Sequence, residues 1–253
     1  MKIGKLQKNW NKFGETDPLW AVLTYDVKKN GKWNIDEFFE TGEREIKEVL
    51  AHLDSLKVVV IKSKALDFGC AVGRLTQALA NRFDEVYGID IAPSMIEQAK
   101  QFNKHGGRCK YILNEVDHLS IIGDNYFDFI YSNITLQHMK PFYSKKYLAE
   151  FARILKPGGI MVFQLPSERS RGSTLTKRVA RAIIPENVIE WIFHLRVRWK
   201  AALRNEPVME MYGVQREKVI DFLTLKGVKT IETQNVSQND SVWLSYRYYA
   251  IKI

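Results

Sequence analysis

LDFGCAVGR, residues 66–74, runs from an apolar strand straight into two glycines four residues apart. Missing side chains at Gly69 and Gly73 let the backbone turn sharply and approach a ligand closely. Asp67 adds an acceptor at the strand end, suited to a cationic amine, and a carboxylate in that place repels a diphosphate. The loop also lacks the G-x-G-x-x-G spacing of a pyrophosphate cradle.

Working outward, KALDFG, VYGID, CKYILN, FDFIYSN and GIMVFQLP read as strands, separated by helices near 73–83, 93–104 and 143–156. Such alternation predicts parallel strands joined by helical crossovers. KPGG, residues 156–159, reads as punctuation: Pro157 ends a helix and Gly158 or Gly159 supplies a positive φ. A helix over 216–227 precedes two late strands, VKTIETQNV and VWLSYRYYAIKI. Only SQND joins these two, so they must be antiparallel neighbours. The first 63 residues read as a helical cap, with Asp36 capping a run whose apolar members are Phe38, Phe39, Ile46, Val49, Leu50 and Leu53.

In an open parallel sheet, ligands bind beyond the carboxyl ends of the strands, where strand order reverses. Four pieces of the chain arrive there: the 67–73 loop, Asp90 closing the second strand, Asn114 to Asp117 after the third, and Ser132 to His138 after the fourth. Asp90 can accept both hydroxyls of a ribose, and the 114–117 piece can read an adenine edge. His138 is the candidate general base, because an imidazole titrates near neutral pH. The other histidines have no partner at metal-ligand spacing, so no catalytic metal is expected.

Asp67-x-Gly69-x-Ala71-x-Gly73, the strand-end Asp90, FDFIYSN, LQHM, LKPGG and the terminal hairpin together resemble the class I S-adenosylmethionine-dependent methyltransferase family. The resemblance implies a Rossmann-like α/β fold, with a seven-stranded, mostly parallel sheet and an antiparallel C-terminal hairpin. It places Gly69, Cys70, Ala71 and Gly73 against the methionine end and ribose of S-adenosyl-L-methionine. It further implies that Asp67 helps hold the amino group and Asp90 the ribose hydroxyls, with Ile91 packing on adenine. Glu115 matches the acidic adenine-side position, Val116 would offer its N–H to the ring, and Asn133 meets the methionine moiety. Ala71 departs from the family by replacing the middle glycine, at a cost on the order of 1 kcal/mol if φ there is positive.

The chain's 253 residues fit one decorated domain. Within it we delimit an N-terminal cap (1–63), a cofactor-binding core (64–166), a basic helical insertion after the fifth strand (167–213), and a C-terminal helix and hairpin (214–253). With 45% hydrophobic residues it is globular, not disordered. Two cysteines and no disulfide framework point to the cytoplasm, and no run of about 18 apolar residues offers a bilayer span.

The formal net charge is +9, and nine Lys or Arg against three Glu between Arg169 and Glu206 hold +6 of it. Val188, Ile192, Leu195, Trp199 and Leu203 draw an apolar helical stripe there, beside Arg196, Arg198, Lys200 and Arg204. Such a helix can lie at the inner face of a membrane, grip an anionic substrate, or pack on the domain with its charges solvated. The N-terminal region and this insertion should build the acceptor pocket, with Tyr25, Trp33 and Phe39 as candidate lid residues. DPLW, QLPSE and WLSYRYYAIK are similar to bacterial methyltransferases of cell-surface glycan and natural-product pathways. That favours methylation of a sugar or glycan hydroxyl on a phosphate-bearing or lipid-linked acceptor. An RNA methyltransferase is the alternative, although no RNA-binding module accompanies the charge. A non-catalytic cofactor-binding interaction protein is the other.

Overall fold

A computed structural model describes residues 3–169, 207–237 and 242–253. Its centre is one seven-stranded sheet. The strands are β1 (Lys64–Phe68), β2 (Glu85–Asp90), β3 (Cys109–Leu113), β4 (Phe127–Ser132), β5 (Leu155–Arg169), β6 (Val228–Asn235) and β7 (Trp243–Lys252). Their order is β3-β2-β1-β4-β5-β7-β6. The first five run parallel, and β7 lies antiparallel between β5 and β6.

The central strands carry apolar residues on both faces because helices cover both. Every residue of β4 is buried, and so are all but the first of β1. Leu66, Phe68, Ile89 and Ile130 serve one core with Phe151 and Leu155, whereas Ala65, Val86, Phe129 and Tyr131 serve the other with Leu75 and Leu79. Edge strand β3 is only partly buried.

The crossover helices are α4 (Arg74–Ala80), α5 (Pro93–Phe102) and α6 (Pro141–Ile154). Pro157 lies beyond the helix it was expected to end, since α6 stops at Ile154. Leu155 already pairs with Phe127, and an irregularity follows before Phe129 pairs with Ile160. Gly158 takes the positive φ, at +75°.

Three helices precede the sheet: α1 (Ile3–Thr16), α2 (Pro18–Val22) and α3 (Ile35–Ser55). The cap of α3 is Asn34, whose Oδ1 accepts the Glu37 N–H at 3.0 Å, and not Asp36. Asp36 sits inside the first turn, too late to reach that N–H, and supplies negative charge there with Glu37. Phe38, Ile46, Val49 and Leu53 of α3 are buried, as their spacing implies.

Helix α7 (Arg216–Leu225) leads into β6. Most of the basic insertion, with its apolar stripe, lies outside the described residues. Its two described ends are not helical: 167–169 extend β5 and 207–213 form no regular element. Among the described residues, no helix is long and apolar enough to cross a membrane.

Candidate functional site

Strand order reverses between β1 and β4, because β2 and β3 build outward on one flank of β1 and β4 returns to the other. The Ser132 hydroxyl donates to the Phe68 carbonyl at 3.0 Å, joining the two strand ends at that point. Three loop residues after β1 take left-handed backbone, with φ of +79° at Gly69, +46° at Ala71 and +85° at Gly73. A Cβ at Gly69 would stand 2.2 Å from the Thr135 side chain, so no larger residue fits.

This loop is tied to the end of β2. The amides of Gly69 and Cys70 both donate to the Ile89 carbonyl, at 2.7 and 3.1 Å. Asp90 completes the tie: its Oδ2 accepts the Ala71 N–H and its Oδ1 the Ala92 N–H, each at 2.9 Å. Burial pushes the Asp90 carboxyl above its ordinary range, and these backbone donors oppose that rise.

Beside the interlocked loops opens a cavity of about 90 Å³. Gly69, Cys70 and Ala71 form its wall on the loop side, Asp90 and Ile91 beyond β2, and Asn133 and His138 beyond β4. Four sequence candidates are not on this wall. Asp67 is buried behind the loop, where Thr76 of α4 donates to its Oδ2 at 2.7 Å. Burial raises this carboxyl to about 7, and its Oδ1 has no partner. Gly73 is backed by the Tyr111 hydroxyl. Glu115 is exposed and accepts from Gln7 of α1. Val116 is exposed too, its carbonyl accepting from the Tyr147 hydroxyl at 2.6 Å and Asn114 Nδ2 at 3.0 Å.

His138 is buried with both ring nitrogens engaged. Nδ1 lies 2.8 Å from the Glu210 carbonyl, which can only accept, so Nδ1 carries the proton. Nε2 then accepts from Gln137 Nε2 at 3.1 Å. Burial lowers the ring's pKa to about 4, so it is neutral at pH 7. As placed, the imidazole joins the β4 loop to the 207–214 segment and offers no free lone pair.

The roof of the cavity comes from the N-terminal cap, through residues that the sequence did not single out. Ile3, Leu6 and Trp10 of α1 and Ala21 and Val22 of α2 line it. Trp10 meets the His138 ring edge-on at 5.0 Å. Asn9 grips Val208 through both the backbone N–H and the carbonyl. Tyr25, Trp33 and Phe39, expected as lid residues, line no part of it: Tyr25 and Trp33 pack against each other with tilted rings, and Phe39 packs on Phe38 and Phe102. Arg74, the last residue of the opening stretch, is also on the wall, a place that its position after the glycine loop does not announce. Next to Asn133, Ile134 holds φ at +55°, a strained setting for a β-branched residue.

The site's chemistry fits an adenosyl amino acid. Its polar groups are a half-buried carboxylate, amide side chains and a guanidinium, set among apolar surfaces. Both cysteines are buried, and burial pushes their thiols up, so neither is a thiolate nucleophile. Among the described residues, no three His, Cys, Asp or Glu side chains are grouped to hold a metal ion.

Comparison with known proteins agrees with this geometry. A methyltransferase-domain family profile matches residues 66–163. The malonyl-[acyl-carrier protein] O-methyltransferase of Hamiltonella defensa is 32% identical over 117 residues, 46% of this chain and 43% of that protein. The same enzyme from Salmonella typhimurium is 27% identical over 187 residues, 70% and 69% of the two chains. The chain thus spans less than half the length of the first of these relatives. Among solved structures, magnesium protoporphyrin IX methyltransferase from Synechocystis, with bound S-adenosylhomocysteine, superposes with a TM-score of 0.60 at 17% identity, covering 98% of both chains. That likeness establishes the fold.

Proposed function

Taking residues 66–163 as a class I methyltransferase domain, we propose that this protein moves the methyl group of S-adenosyl-L-methionine onto a small-molecule acceptor. The observation that carries this reading is the tie between the Gly69–Gly73 loop and the Asp90 carboxylate, beside the cavity at the switch point of the sheet. The cofactor brings a methyl group already activated by its sulfonium. What the chain must supply is position, since alignment of donor and acceptor accounts for much of the catalysis in such a displacement.

In this reading Asp90 takes the ribose hydroxyls on its remaining lone pairs, and Ile91 packs on the adenine. The backbone of Gly69, Cys70 and Ala71 follows the ribose and the amino-acid end, toward Asn133. Helix α1 excludes water from above. Asp67 acts from behind the loop, by holding α4 through Thr76.

The acceptor class follows from two lines of support. The sequence resemblance favours a sugar or glycan hydroxyl, and the basic residues between 169 and 206 would attract a phosphate-bearing or lipid-linked one. A hydroxyl needs a base. The state of His138 favours a second reading, in which the accepting oxygen is already ionised, as in a carboxylate, and no proton has to be removed.

Calorimetric titration with S-adenosylhomocysteine tests the shared premise, and absence of binding would sink it. Incubation with methyl-labelled cofactor and a panel of sugar nucleotides, lipid-linked sugars, small carboxylic acids and RNA then tests transfer. On the sugar and carboxylic acid acceptors, label that survives alkali marks an ether and label released by alkali marks a methyl ester. Binding with no transfer to any acceptor would leave a cofactor-binding protein in place of an enzyme.

A further inference from the structure

The three most exposed large aliphatic side chains among the described residues lie at one end of the molecule: Val59 is 83% exposed, Leu225 82% and Ile253 80%. Ile61, two residues after Val59, is 61% exposed. The fold brings them together there. Residues 57–63 lead into the start of β1, Leu225 ends α7, and the Ile253 N–H donates to the Gly227 carbonyl at 2.9 Å. An open groove joins the two parts, with Val59 and Ile61 on one side and Ile231 of β6 and Ile251 of β7 on the other. Single exposed aliphatics are ordinary, whereas a contiguous set of them marks a surface that something covers.

The charge around this groove has one sign. Lys57 and Lys229 line it, Lys62 follows Ile61, and Lys226 follows Leu225. All four are exposed, and no ion pair among the described residues neutralises any of them. No carboxylate lines the groove. A second copy of this chain, related by a two-fold axis, would set the patch against itself and lysine against lysine. Interfaces with other proteins are rich in aromatic residues, Met and Arg and poor in Lys, and the groove has lysines and aliphatics with no aromatic residue and no Arg. An anionic bilayer suits both components. Aliphatic side chains enter the acyl boundary while lysine stems lie along it and hold their ammonium groups at the lipid phosphates.

We propose that this end of the molecule docks on an anionic phospholipid surface, with Val59, Ile61, Leu225 and Ile253 as the inserting groups and Lys57, Lys62, Lys226 and Lys229 as the charges around them. The docking does not depend on the cofactor placement proposed above, but it orients the site. The groove lies at the start of β1 and the cavity beyond its carboxyl end, so the cavity sits at the far end of the sheet from the bilayer.

The test uses the full chain and sedimented vesicles of phosphatidylcholine, alone or mixed equally with phosphatidylglycerol. Wild type should pellet with the mixed vesicles and stay in solution with the neutral ones, and its affinity should fall as salt is added. Each lysine near an anionic surface contributes about fivefold in affinity, so Lys57→Gln with Lys229→Gln should weaken mixed-vesicle binding about twentyfold. Val59→Ser with Ile61→Ser keeps every charge and should weaken it about tenfold or more. A comparison pair, Lys5→Gln with Lys8→Gln, removes the same charge from exposed positions of α1 at the opposite end and should change binding by less than about threefold. Circular dichroism verifies that each variant is folded, and calorimetry with S-adenosylhomocysteine should give the wild-type result for all of them, so docking and cofactor binding are read separately. Wild type that ignores the mixed vesicles overturns the proposal; its retention on immobilised polyglutamate would then give the patch to an acidic protein. Equal weakening by the two lysine pairs overturns it too, as the mark of general attraction to a chain of net charge +9. So does undiminished binding by the serine variant. A concentration-dependent dimer in light scattering that the serine variant abolishes gives the patch to a second copy instead.

Discussion

Ala71 holds a left-handed φ of +46° where its neighbours in that region, Gly69 and Gly73, have no side chain. The left-handed setting costs an L-residue about 1–2 kcal/mol, and part of any relief is lost to the freer unfolded chain of glycine. Ala71→Gly should therefore stabilise the protein by somewhat under about 1 kcal/mol, read as a higher midpoint in urea; an unchanged or lower midpoint would show that no strain is stored there. Asp90 anchors the same loop from the other side. Asp90→Ala strips the acceptor from two backbone amides and, in the proposed placement, from the ribose, and should weaken S-adenosylhomocysteine binding by about 1–3 kcal/mol in calorimetry. Glycine turns and strand-end carboxylates are legible in sequence because few other residue types meet those backbone demands. Arg74 was not, since its meaning comes from Glu45, 29 residues earlier on another helix.

At the scale of elements, α1 closes the cavity with an apolar face that includes Leu6 and Trp10. It is held at its flank by hydrogen bonds from Ser94 N to Asn11 Oδ1 and from Gln98 Nε2 to the Gly14 carbonyl. Trp10→Ala should leave the sheet intact but weaken S-adenosylhomocysteine binding by about tenfold, through water admitted above the site and lost apolar contact. Equal affinity would mean that α1 plays no part in retention. The buried parallel strands could be read directly, since their apolar runs follow from cover on both faces. The 207–214 segment could not. Its place is set by Asn9, Gln137 and Pro166, contacts too distant in sequence for any local pattern to announce.

In the whole molecule, two buried ionisable groups give opposite responses to pH. Asp67 is raised to about 7, so the folded state keeps a proton that the unfolded chain releases near 3.8, and stability falls as pH rises between those values. His138 is lowered to about 4 from 6.5, so the unfolded chain binds the extra proton, and stability falls as pH drops through that window. Between pH 4 and 6.5 the two slopes oppose each other. Asp67→Asn should gain little at pH 4 but up to about 4 kcal/mol over wild type at pH 8, measured by urea denaturation without cofactor. It should also unmask the histidine slope, losing about 3 kcal/mol between pH 6.5 and 4 relative to a protein that also carries His138→Ala. A difference between wild type and Asp67→Asn that is constant with pH would refute the shifted carboxyl. Parallel strands with crossovers and an antiparallel closing hairpin were expected from the alternation of strands and helices and from the short last connection, but the order in which the strands lie came only from the structure.

The position of β7 has a consequence for biosynthesis. It is the last of the seven strands to leave the ribosome, yet it fills the slot between β5 and β6, pairing with β5 from Ile160 to Arg169. Until it arrives, β5 presents a nascent edge of unpaired amides and carbonyls, the kind of surface on which neighbouring polypeptides stack. Translation halted before Trp243 would strand most of a Rossmann layer with an open seam, a natural client for chaperones.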